Sequence, residues 1–191
     1  MNLKYIKSEI YNLGFSTPED VDTSIVLQAI NRAVDTIANT VRPILSMHHI
    51  PKEEGEVQMK YHNLKEIAKE KGETFVAIHE VFEVTSEGLA PAANFMVVNR
   101  HILQAKTDKE LVVLYKRLYT PVEVNTPDEF EFELDADLHV LIPLLAAFYV
   151  WQDDEERKAD KLYNDYEIKR NDIVARETKV VAYVRGGDYA Y

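Results

Sequence analysis

Residues 129–151 read EFEFELDADLHVLIPLLAAFYVW, and inside this stretch the hydrophobic period changes from two to a helical one. Phe130, Phe132 and Leu134 alternate with Glu129, Glu131 and Glu133, so an extended chain puts three apolar groups on one face and three carboxylates on the other. Asp135 and Asp137 follow as N-cap candidates whose charge favours a helix dipole. Leu141, Leu144, Leu145, Phe148 and Trp151 then recur at helical spacing, with Pro143 expected to kink the first turns. A strand running straight into an apolar helix places the chain in the α+β class.

Toward the C-terminus, Gln152-Asp153-Asp154 marks a tight break, and Glu155 to Glu177 predicts a long charged helix with Leu162, Tyr163, Tyr166 and Ile173 turned inward. Two helices joined so closely form an antiparallel hairpin. The acids of 153–156 lack the spaced ligands and glycine of a calcium loop, so they read as complements to the helix dipole. Residues 179–191 are expected to be an extended aromatic tail broken at Gly186-Gly187. Its Tyr183, Arg185, Tyr189 and Tyr191 are the candidate partner contacts, because aromatic groups left in a free tail expose apolar surface.

Toward the N-terminus the period is two again over 44–134, where Phe75–Val84, Phe95–Val98, Ile102–Ala105 and Glu110–Leu118 predict an antiparallel meander. Before it, Leu3, Ile6, Ile10 and Leu13 predict a short helix with Gly14 as its C-cap. Thr17-Pro18-Glu19-Asp20 reads as the start of a second helix carrying Val26, Ile30, Ala33, Val34, Ile37 and Val41, closed by Pro43. The expected organisation is a helical bundle from N-terminal (1–43) and C-terminal (135–178) helices, with an inserted sandwich or barrel-like β domain (44–134) and the tail (179–191).

The net charge of −11 argues against wrapping nucleic acid, since duplex affinity comes mainly from Lys and Arg neutralising phosphates. Zero cysteines remove disulfides and thiolate chemistry. Val140–Trp151 is too short to span a bilayer, and no basic-then-apolar leader opens the chain, so a soluble protein made in the cytoplasm is expected. His48 and His49 are adjacent on a strand and point to opposite faces, and His139 lies on the apolar run; neither pattern predicts a metal site, and no cofactor is expected. No phosphate loop, nucleophile elbow or HExxH is present. Asp128 with Glu156 and Lys158 imitates the carboxylate and ExK set of Mg-dependent nucleases, but Glu156 and Lys158 open a helix where those enzymes use a strand.

Three stretches resemble the head-to-tail connector adaptors of tailed phages, the tail tubular protein A type among them. They are the opening helix followed by Asp22–Ala33, the strand Leu111–Leu118, and His139 through Trp151 into Asp154–Tyr163. The resemblance implies a non-enzymatic virion protein of the neck, from which no catalytic residues are inherited. It implies a dodecameric ring between portal and tail or nozzle proteins, with the helical bundle toward the capsid and DNA passing without specific binding. Twelve copies at −11 each would carry on the order of 130 negative charges, which favours an acidic lumen. A Mg-dependent cytosolic hydrolase and a bacterial protein-interaction module stand as the alternatives.

Overall fold

The computed structural model describes residues 1–18, 20–52, 59–106 and 109–186, with side chains through 176. The chain divides into two compact units, one of residues 1–42 and 119–191 and one of residues 43–118.

The first unit begins with α1 (Leu3–Gly14), whose Asn2 side chain caps the Tyr5 N–H and whose Leu3, Ile6, Ile10 and Tyr11 are buried. The left-handed C-cap is Phe15 (φ 51°), with Ser16 N–H reaching back to the Tyr11 carbonyl. Gly14 is therefore the last helical residue, and its role differs from the expected cap: a Cβ there would stand 2.0 Å from two ring carbons of Trp151. The glycine permits helix and indole to meet.

Helix α2 (Thr23–Thr40) starts later than the Thr17–Asp20 motif suggested. Thr17 donates through its N–H and hydroxyl to Asp20, closing a turn of its own, and Asp22 caps the helix at the Ser24 N–H. Its stripe Val26, Ile30, Ala33, Val34 and Ile37 is buried as expected. Helix α4 (Leu141–Trp151) is apolar on nearly every side and packs against α1, α2 and the long α5 (Glu156–Gly186), so it forms the centre of this unit. Asp135 and Asp137 do not cap it. Both carboxylates take the Arg42 guanidinium instead, at 2.6 and 3.0 Å, and the N-cap Val140 has no side-chain bond. Pro143 sits in the first turn, where its missing N–H has no intrahelical partner to lose.

The 129–134 alternation holds, with Phe132 and Leu134 buried and the three glutamates exposed, but this segment is not a sheet strand. It lies along the start of α1: Leu3 N–H donates to the Phe130 carbonyl, Lys4 N–H to the Asp128 carbonyl, and Glu131 bridges Asn2. The Asn31 side chain holds the preceding extended stretch by both donating to the Val122 carbonyl and accepting from its N–H, each at 2.9 Å. These bonds move 119–134 out of the expected β domain, which ends at Leu118.

Among its described residues the second unit holds two antiparallel sheets and no closed barrel. One has the order β1 (Leu45–Ile50), β7 (Leu111–Arg117), β3 (Phe75–Thr85), β4 (Gly88–Pro91); the other has the order β2 (Met59–Asn63), β6 (Ile102–Lys106), β5 (Phe95–Val98). Pairing of β7 between β1 and β3 replaces the simple meander. Short α3 (Leu64–Glu70), not anticipated, is capped by Asn63 and contributes Leu64 to a core shared by both sheets, with Ile50, Val81, Leu103, Leu111 and Val113. The expected α+β class, with helices from both chain ends and an inserted antiparallel β region, is the observed one.

Residues 179–186 depart from their expected extended form, and residues 187–191 of that segment lie outside the described residues. Backbone hydrogen bonding continues α5 to Gly186, about 45 Å at the usual rise, because Glu177–Arg185 contains no helix breaker and each added residue extends an existing helix.

Candidate functional site

The tail contacts divide between helix and undescribed chain. Tyr183 and Arg185 belong to the last turns of α5, with side chains outside the described residues; Tyr189 and Tyr191 lie wholly outside them. An element presented from this end of α5 is therefore helical up to Gly186.

The acids and lysine that imitate a nuclease site are held apart. Asp128 receives Lys7 Nζ at 2.6 Å beside the start of α1, and that cation holds its carboxyl below the usual range. Lys158 Nζ instead donates to the Gly14 carbonyl at 2.7 Å, at the opposite end of α1, to Glu155 at 2.9 Å, and lies 5.1 Å over the Trp151 ring. Glu156 stands in the first turn of α5. Lys4 to Gly14 spans roughly 15 Å of helix, so one metal ion does not bridge these groups. Among the described residues no three His, Asp or Glu side chains converge as a metal site.

The histidines also resolve locally. His139 is buried, with Nε2 2.8 Å from the Leu134 carbonyl and Nδ1 2.8 Å from the Met1 amine, which makes Nε2–H the donor and Nδ1 the acceptor. It ties the 134–139 turn to the start of α1. His48 and His49 sit opposite Val113 and Val112 in adjacent register positions and face opposite ways. Burial pushes His48 down, while His49 faces Glu110 at 3.4 Å.

One polar cluster was not anticipated. In the β unit, Glu73 accepts from Ser46 Oγ and Tyr115 OH, both at 2.6 Å, and faces Arg117 Nε at 3.6 Å. Burial works to raise the Glu73 carboxyl, but the Ser46 and Tyr115 hydrogen bonds and the Arg117 and Lys71 charges outweigh it and hold it below its usual range. Burial and the adjacent carboxylate push Tyr115 up to about 12. Every oxygen of Glu73 is engaged by a group that favours its ionised form, so this carboxylate pins the turn before β3 to β1 and β7. Sequence separation hid it: Ser46, Glu73 and Tyr115 meet only once β7 inserts between β1 and β3.

The helical unit carries an aromatic array on α2, α4 and α5. Arg32 stacks 4.0 Å from the Tyr149 centroid, the Tyr149 hydroxyl meets Thr36 Oγ1 at 3.2 Å, and Phe148, Tyr163 and Tyr166 continue the series at 5.1 and 5.9 Å. These contacts pack α2, α4 and α5 against one another. A cavity of about 400 Å³ lies against α1, lined by Lys4, Lys7, Ser8, Tyr11 and Thr17.

Charge is the most uneven property. Residues 43–118 carry 10 Lys and Arg against 11 Asp and Glu, a net of −1, so −10 of the chain total of −11 belongs to the helical unit. No helix among the described residues is long and apolar enough to cross a membrane. No family model matches the chain, and no curated protein matches it.

Proposed function

We propose that this chain is a structural virion protein, a ring-forming adaptor that joins portal to tail in a phage head-to-tail connector and surrounds part of the DNA path. The observation that carries the reading is the segregation of charge. The unit built from both chain ends is strongly acidic, and a ring of such units repels a passing duplex instead of holding it. The near-neutral β unit inserted between those ends supports the same reading, because it lacks the self-repulsion that would oppose packing against tail components.

In this reading the partners are the portal and tail proteins, and docking uses the end of α5 with Tyr183 and Arg185 and the following Tyr189 and Tyr191. Co-expression with the portal protein of the same genome, followed by native mass measurement, tests it. The expected product is a closed ring bound to portal; a chain that binds neither portal nor any neck protein from that genome refutes the proposal.

A further inference from the structure

The three-stranded sheet of the β unit ends in β5, which has no second strand neighbour among the described residues. Its sequence, Phe95-Met96-Val97-Val98, is wholly apolar, and it carries neither proline nor charge to discourage pairing. Phe95, Met96 and Val97 are 37%, 58% and 42% exposed, so both faces of the strand meet solvent. Register places Met96 and Tyr61 on either side of Gln104, and Met59 opposite Lys106, all on the face away from buried Leu103 and Ala105. Gln104 Nε2 donates to Tyr61 OH at 3.2 Å, which fixes the exposed ring against the sheet.

The same sheet is free of acid. Strand 59–63 and the β5–β6 hairpin, 95–106, contain Lys60, Arg100 and Lys106 and no Asp or Glu, in a chain of net −11. The hairpin turn holds Asn99 and Arg100 at φ 51° and 63°, which places the exposed Arg100 in the β5–β6 turn, where the open edge ends. An unguarded apolar edge with a basic rim fits an occupant that supplies main-chain hydrogen bonds, apolar side chains and negative charge together.

We infer that the β5 edge and the outer face of its sheet take an extended acidic segment of a partner protein, added as a fourth strand beside Phe95–Val98. Alternate apolar residues of that segment cover Met96 and Tyr61, and its carboxylates meet Arg100 and Lys106. This surface is independent of the adaptor reading and could serve another assembly.

Methyl NMR of the full chain tests the inference, because only four methionines are present and Met59 and Met96 mark the sheet while Met1 and Met47 lie elsewhere. The probe is the synthetic peptide DEFEFELDA, the sequence of residues 128–136 of this chain, with a control in which its five acids are lysines. The acidic peptide is expected to shift Met96 and Met59, to lose binding at about 1 M salt, where screening falls to about 3 Å, and to outbind its control. Met96→Glu, at an exposed position, and the surface pair Arg100→Glu with Lys106→Glu should each weaken binding by about tenfold through like-charge repulsion, with circular dichroism unchanged. Equal binding of both peptides, no shift at Met96, or variants that bind as well as the parent would overturn the inference. A shift confined to Met1 would place the peptide where its parent segment lies and would also overturn it. Peptide-independent dimerisation that broadens Met96 would assign the edge to a second copy instead.

Discussion

Replacing Gly14 by alanine separates two roles that glycine can play at the end of α1. If Gly14 served as a flexible cap, alanine would change little; inside a helix, alanine is worth about 1 kcal/mol more than glycine. The structure gives the opposite sign. The new Cβ would lie 2.0 Å from Cη2 and Cζ2 of Trp151, against ordinary contact from 3.4 Å, so the indole would retreat by about 1.4 Å in a close-packed site. That ring is only 6% exposed and lies beneath Lys158, whose Nζ also bonds the Gly14 carbonyl. Overpacking of this kind costs about 1–3 kcal/mol, and displacing the Lys158 contact adds to it, so Gly14→Ala is expected to destabilise by about 2 kcal/mol net of the helix gain. In a Trp151→Phe background the clashing ring atoms are gone, and Gly14→Ala should be neutral or stabilising by up to about 1 kcal/mol. Urea unfolding of the four proteins by far-UV circular dichroism reads the cycle, and the single tryptophan gives an independent fluorescence signal where it is retained. A Gly14→Ala protein as stable as the parent, or one equally destabilised in both backgrounds, would refute the reasoning.

Asn31→Ala should destabilise by about 2–3 kcal/mol in the same assay, because both polar groups of buried Val122 lose their partner. For Tyr115 the sign follows from its direction. A phenol held at about 12 in the folded chain, against 10 when unfolded, contributes stability below pH 10 that is lost as pH rises through the folded value. Stability should thus fall between pH 10 and 12, and Tyr115→Phe should remove part of that slope in denaturant titrations across the window. Glu73 behaves oppositely: its depressed carboxyl contributes above the unfolded value of 4.5 and is lost as pH falls through the folded one, so Glu73→Gln should flatten the acid limb of the same titration. Deleting 180–191 should leave the melting temperature of the parent unchanged and abolish portal-dependent ring assembly; a fall in melting temperature would make this segment part of the fold's support.

Local pattern alone determined which residues face inward. The stripes of α1, α2 and most of α5 and the Phe130, Phe132, Leu134 alternation could be read because burial repeats with the period of each backbone form. Tyr163, expected inward, is instead 42% exposed, and α4 is apolar on nearly every side and buries Ile142, Ala146 and Ala147 beyond its expected stripe. The α3 signal was also legible in Asn63, Leu64, Ile67, Ala68 and Gly72, although the surrounding strand pattern masked it. Tertiary structure decided what each buried face meets. Alternation at 129–134 specifies an extended chain with one apolar side, but only the α1 amides at Leu3 and Lys4 make their neighbour a helix start instead of a sheet. Asp135 and Asp137 have the chemistry of caps, yet Arg42, remote in sequence, binds them first. Gly14 carries no local mark of its contact with Trp151, and the Glu73 cluster and the acid-free β5 edge depend on strand order. Short-range period is written along the chain, whereas the partner across a contact is fixed only when distant segments pack.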